Sequence, residues 1–198
     1  MRDERLDRWL DELVSTPGLT SVSDPAEAKR LHRDDALTAA PLLGDGPVVD
    51  VGSGGGSPGI PLAVARPELR FDLLESVRKK CDFLSRWAEQ FDNVSVVCAR
   101  AEDYARGAGR DAYGTALARA LAAPPVAAEW CLPLLRQGGR AVLFAGPSAD
   151  ADAVAKAARE VAGELEEGPP GFLLLRKTGP TPDRFPRRPG VARKRPLA

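Results

Sequence analysis

Five glycines crowd into eight positions, Gly52-Ser53-Gly54-Gly55-Gly56-Ser57-Pro58-Gly59, directly after the apolar run Val48-Val49-Asp50-Val51. Without Cβ atoms, backbone at such a turn can lie against a ligand. About 20 residues on, Glu75 ends a second apolar run, Phe71-Asp72-Leu73-Leu74. An acid so placed can accept both hydroxyls of a ribose. Two more polar groups follow at the ends of later runs, Arg100-Ala101-Glu102 and Ala118-Arg119-Ala120. Glu102 or the amides beside it suit the edge of an adenine, and Arg119 would project toward a reacting centre. Alternatively, Arg119 pairs with a carboxylate across the cleft, as buried arginines usually do.

The elements that must hold these groups alternate. Strands are predicted over residues 48–51, 71–74, 94–98, 115–118, 141–145 and 172–175. Helices are predicted over 60–66, 124–135 (started by Pro124-Pro125 and ended by Gly138-Gly139) and 151–165, and Val77, Cys81, Leu84, Ala88 and Phe91 mark one face of another. The fold class is therefore α/β, a mostly parallel sheet with helices on both faces. Such sheets bind ligands beyond the carboxyl ends of their strands, where the glycine turn would sit. Ahead of the sheet, Leu6, Trp9, Leu10, Leu13 and Val14 follow helical spacing up to Pro17-Gly18. Ser23-Asp24-Pro25 then starts a second helix over 26–43. Residues 1–44 thus read as an N-terminal helical cap, 45–180 as the core, and 181–198 as an irregular basic tail.

Composition narrows the class further. The 198 residues carry 28 basic and 28 acidic side chains, so net charge does not announce nucleic acid. The tail is the exception: Arg184, Arg187, Arg188, Arg193, Lys194 and Arg195 have no acid among them after position 184, a pattern that suits phosphate contacts or a solvated end equally. No apolar run reaches the ~20 residues a bilayer span needs. The N-terminal residues are amphipathic and acid-rich, unlike a signal or transit peptide. Cys81, Cys98 and Cys131 lack CxxC spacing and are odd in number, which fits reduced core residues in a cytoplasmic protein. The single histidine, His32, argues against a histidine-rich metal site, so no metal is expected. His32 itself reads as a helix-packing residue, and Trp9, Trp87 and Trp130 as core.

Two cofactor classes fit the glycine turn. Gly54, Gly56 and Gly59 match the G-x-G-x-x-G spacing of dinucleotide sites. A pyrophosphate, however, needs free amides at the following helix start, and Pro58 and Pro61 have none. S-adenosylmethionine needs no phosphate cradle. Glu75 serves either class.

In this order the pieces resemble the bacterial ribosomal small subunit methyltransferase G family, also called glucose-inhibited division protein B. The resemblance rests on Leu19-Thr20 through Asp24-Pro25, His32 with Asp35, the turn from Asp50 to Pro61, Leu74-Glu75 and Arg78-Lys79-Lys80. It extends to Arg100-Ala101-Glu102, Ala118-Arg119-Ala120, Phe185-Pro186-Arg187-Arg188-Pro189-Gly190 and Lys194-Arg195-Pro196-Leu197. It implies a Rossmann-like class I methyltransferase that moves a methyl from S-adenosylmethionine to N7 of a guanine in 16S ribosomal RNA. The implied partner is 16S ribosomal RNA or the small ribosomal subunit, with no membrane and a monomer as the simplest assembly. By position, Gly52, Ser53, Gly54, Gly56, Ser57, Glu75, Ala101, Glu102 and Arg119 would hold the cofactor, and Arg119 is the candidate catalytic residue. Two departures stand out. The family usually carries lysine where this chain has Ala145, and Arg-His where it has Pro170-Gly171-Phe172. These motivate an alternative, a methyltransferase-fold protein that binds RNA or ribosomes with weakened catalysis.

Overall fold

The computed structural model describes residues 3–198, so the first two residues of the expected cap lie outside the described residues. The chain begins with α1 (Glu4–Ser15), which Asp3 starts by accepting the Arg5 amide. Next come α2 (Pro25–Lys29), a π turn (Arg30–Asp34), α3 (Asp35–Leu37) and a short 3-10 turn (Ala40–Leu42). The single helix expected over 26–43 is thus corrected to four pieces, widened at the π turn, a feature that recurs at functional sites.

The alternating part follows as β1 (Val48–Val51), α4 (Gly59–Ala65), β2 (Phe71–Glu75), α5 (Arg78–Ala88), β3 (Val94–Cys98), α6 (Ala101–Tyr104), β4 (Tyr113–Ala118) and α7 (Pro124–Cys131). It ends with β5 (Leu135–Phe144), α8 (Ala151–Glu160), β6 (Gly163–Glu166), β7 (Phe172–Lys177) and α9 (Val191–Lys194). The strands form a seven-stranded sheet in the order β3-β2-β1-β4-β5-β7-β6. Pairings among β1 to β5 are parallel, whereas β7 runs antiparallel to β5 and β6 antiparallel to β7. β1 and β4 adjoin although β2 and β3 lie between them in sequence, which makes their carboxyl ends the switch point.

Side chains alternate through this sheet. Leu73 and Leu117 pack with Trp9, Ile60 and Phe83 on one face. Val49, Val51, Leu74 and Ala116 pack with Leu132 and Val154 on the other. Both faces of β1 are buried, so the strand is apolar throughout except for Asp50.

The end of the sheet differs from expectation. The helix read over 151–165 stops at Glu160, and residues 163–166 form β6 instead. Val161 and Leu165 have helical spacing, but Ala162 takes a φ of +56° and the fully buried Lys177 ammonium donates to Val161 O and Leu132 O. Those bonds anchor the turn. Similarly, Gly138-Gly139 do not follow a helix over 124–135. They lie inside β5, and the helix ends at Cys131, followed by a 3-10 turn. Cys81 and Cys98, read as reduced, are paired as a disulfide with Cα atoms 5.8 Å apart, because α5 packs on β3; Cys131 is buried and free. Among the described residues no helix is long and apolar enough to cross a membrane, and no His/Cys/Asp/Glu group could hold a metal.

Candidate functional site

β1 ends at the glycine turn, and the turn's glycines serve separate needs. Gly52 has a φ of +73° and lines a cavity at the switch point, where a Cβ would come within 2.4 Å of Leu121. Gly55 answers to the cap instead. A Cβ there would lie 2.1 Å from Leu13 of α1, and its carbonyl accepts the buried Trp9 indole N–H at 2.9 Å. The turn is therefore shaped as much by α1 as by any ligand, which sequence spacing had not revealed.

The cavity has a volume of about 460 Å³, within the range of small-molecule sites. It brings together Gly52, Glu75, Ala101 and Glu102. Glu75 is buried, with Oε2 accepting from Gly54 N at 3.0 Å and Oε1 accepting from Ser76 N and Val77 N at 2.7 and 2.8 Å. A carboxylate offers about four acceptor positions, so the three amides leave room for a hydroxyl. Glu102 is also buried, and its Oε1 accepts the Gly190 amide at 3.0 Å. Sequence reading missed Val77, Lys80, Trp130, Gly190 and Arg193 in the lining. Lys80 and Gly190 fall within the quoted motifs, but nothing in their spacing told which of those residues would reach the cavity.

The remaining expected residues sit behind or beside the cavity. Ser53 is buried and donates to Asp50 O at 2.7 Å, and a Cβ on Gly56 would meet Ile60 at 2.5 Å. Ser57 and Arg119 belong to a junction between turn and cap. The Arg119 guanidinium donates to Leu31 O at 2.5 Å, to His32 Nδ1 at 3.0 Å and to Ser57 Oγ at 2.8 Å. Arginine only donates, so His32 Nδ1 accepts and its Nε2–H faces Thr20 Oγ1 at 2.9 Å. Desolvation and then the Arg119 charge push the His32 pKa down to about 4, which keeps the ring neutral. His32 thus packs as expected and also orients Arg119. Ala120, next in the chain, lines the cavity with a φ of +51°, a conformation that costs on the order of 1–3 kcal/mol and clusters at functional sites.

Asp50 underlies the turn. Its Oδ2 accepts Gly59 N at 3.0 Å. Burial pushes its pKa up to about 7, against the opposing pull of that amide and of Arg119. The folded protein therefore holds a proton on Asp50 between about pH 4 and 7 that the unfolded chain has lost. This contribution to stability is complete at low pH and disappears as pH rises through that window, on the order of 4 kcal/mol. His32 acts oppositely below pH 6.5. Comparing Asp50→Asn with the parent at each pH cancels that and every other group. The variant's thermal midpoint is expected to rise relative to the parent's between pH 5 and 8. A difference independent of pH would show that Asp50 is already ionised when folded.

A second, open pocket of about 490 Å³ adjoins this junction, lined by Asp35, Arg119, Phe144, Ala145, Gly171 and Phe172 among others. The two departures from the family pattern, at Ala145 and at Pro170-Gly171-Phe172, both face it.

Parallel strands meeting at a β1/β4 switch point, an acid at the end of β2 and an antiparallel β7 beside β5 define a class I S-adenosylmethionine-dependent methyltransferase. The particular family follows from the chain itself. A family model described as "GidB: rRNA small subunit methyltransferase G" matches residues 4–167, and the chain belongs to that family. Proteins named ribosomal RNA small subunit methyltransferase G are similar throughout. The one from Rubrobacter xylanophilus is 45% identical over 84% of this chain and 71% of its own length. That from Synechococcus elongatus is 39% identical over 90% of this chain and 82% of its own. Among solved structures, a T. thermophilus 16S rRNA N2 G1207 methyltransferase in complex with AdoMet and guanosine aligns with a TM-score of 0.53 at 19% identity, over 77% of this chain and 41% of that one. A precorrin-6y C5,15-methyltransferase from Geobacter metallireducens aligns with a TM-score of 0.56 at 16% identity, over 85% and 95%. These last two likenesses concern the fold.

Proposed function

We propose that this protein transfers a methyl group from S-adenosylmethionine to N7 of a guanine in 16S ribosomal RNA, acting on the RNA or the small ribosomal subunit in the cytoplasm. The observation that carries this reading is the family match over residues 4–167 of a chain whose switch-point cavity gathers Gly52, Glu75, Ala101 and Glu102. The cavity also suits a polar ligand. Glu75 has acceptor capacity to spare.

When bound, S-adenosylmethionine supplies an electrophilic methyl on a sulfonium. Guanine N7 carries a lone pair and no proton, so the chain needs no general base. Its task is alignment and exclusion of water. Glu75 holds the ribose end, Gly52 allows close backbone approach, and the Ser57–Arg119–His32 junction sets the turn against the cap. The methylated ring gains positive charge, which an arginine does not stabilise. Arg119 accordingly acts by positioning.

To test this, small subunits lacking the modification are incubated with protein and cofactor, and their nucleosides analysed by mass spectrometry. A gain of 7-methylguanosine is expected. No gain, where a family enzyme succeeds, would reject the activity.

One observation favours a second reading, an RNA- or ribosome-binding protein with weakened catalysis. The pocket beside Arg119 presents Ala145 and Gly171 where the family resemblance implies cations, and its one arginine is committed to the cap. Subunit binding without turnover, with activity restored by Ala145→Lys, would support it.

A further inference from the structure

The segment expected to be an irregular tail instead packs on the core and borders the cavity through Gly190 and Arg193. Phe185 is buried, and its carbonyl accepts from Arg110 at 2.9 Å, while that of Pro186 accepts from Arg106 at 3.1 Å. Arg187 then meets Glu129 of α7 in a fork, Nε to Oε1 at 2.6 Å and Nη2 to Oε2 at 2.5 Å. Glu129 is 2% exposed. A bidentate charged pair of this kind fixes orientation as well as position. Three residues later the Gly190 amide donates to Glu102, and Gly190 adopts a φ of +79° to start α9. Ala192 is buried, and the Arg193 guanidinium lies 5.2 Å from the Trp130 ring centroid while donating to Leu121 O. Gly190 and Arg193 both line the cavity, but Arg187 and Glu129 do not.

We propose that residues 185–194 form a strap that is the outer wall of the cofactor cavity, with Glu129 and Glu102 as positioning residues that hold it closed. This rests on the reading of that cavity as the cofactor site. It alters the part given to Glu102 by resemblance, because the carboxylate serves the cofactor through the Gly190 amide. It also gives the basic tail a task other than phosphate contact. Of its six basic side chains, Arg184, Arg187 and Arg193 bond to Glu160, Glu129 and Leu121 O, respectively.

The strap makes a prediction that a purely structural tail does not. Arg187 does not line the cavity, yet Arg187→Ala should weaken binding of S-adenosylhomocysteine at least tenfold in calorimetry on the full-length protein. Arg187→Lys, which keeps the charge but loses the fork, should fall between the variant and the parent. Binding by folded Arg187→Ala equal to the parent's would overturn the strap. Because Arg187→Ala leaves Glu129 buried and unpaired, a second measurement uses the parent alone. S-adenosylhomocysteine should slow trypsin cleavage after Arg193 and Lys194, and unchanged cleavage at saturating ligand would overturn the proposal. A parent protein that does not bind S-adenosylhomocysteine overturns the cofactor reading and this inference with it, an outcome distinct from parental binding with an unaffected variant.

Discussion

Alanine at position 119 is expected to slow single-turnover methylation by about two orders of magnitude or more. The Arg119 guanidinium is the shared donor for Leu31 O, His32 Nδ1 and Ser57 Oγ. Its loss removes three of the bonds that hold the π turn of the cap against the glycine turn and leaves the bond from Ser57 Oγ to His32 O. Hydrogen bonds to charged groups contribute roughly 1.5–3 kcal/mol each, and misplacement of reacting groups by about 1 Å costs on the order of 100-fold in rate. Removing the charge also removes one of the influences that hold the Asp50 pKa down. Lysine should recover only part of the rate, because a point charge cannot reach three acceptors that a planar fork spans. The measurement is the rate at saturating cofactor, with calorimetry to show that the cofactor still binds. Parental rates in a folded Arg119→Ala variant would remove Arg119 from the transfer site.

Glu75→Ala carries the other large effect, a loss of cofactor affinity of about 100-fold. The carboxylate collects the amides of Gly54, Ser76 and Val77 and so joins the glycine turn to the end of β2. Alanine loses the ribose partner and leaves three donors to reorganise, and 100-fold corresponds to about 2.7 kcal/mol, the size of one or two charge-assisted bonds. Glu75→Gln keeps one acceptor oxygen but turns an NH2 donor toward the amides of the other loop, so it should also lose affinity, though less than alanine. Calorimetric titration with S-adenosylhomocysteine separates these outcomes, and affinity within threefold of the parent for Glu75→Ala would exclude a ribose contact.

The β1–turn–α4 unit and the β2 acid were legible because their signals are local. An apolar run must be a buried strand, a glycine cluster must turn, and the next strand end lies one crossover away. The same logic failed at residues 161–165, where helical spacing over one turn also fits a short strand. The choice there was made by Lys177, whose ammonium reaches back 16 positions to Val161 O. Legibility also failed at Glu102. A carboxylate beside an expected adenine has an obvious local use, but its partner, Gly190, is 88 residues away. Asp50 carried a usable hint, an acid inside an otherwise apolar strand. Cys81 and Cys98 did not, since a separation of 17 residues has no meaning until α5 lies on β3.

By itself, then, the sequence determined the α/β class, the glycine turn after β1 and the family, all of which rest on contiguous patterns of side-chain type. Only the tertiary structure decided that Gly55 exists for Leu13 and Trp9, that Arg119 is committed to His32 and Ser57, and that Gly190 and Arg193 border the cavity. Each of these depends on atoms brought within a few ångströms from distant parts of the chain. Their energies come from mutual packing and hydrogen-bond geometry that no short stretch of sequence contains.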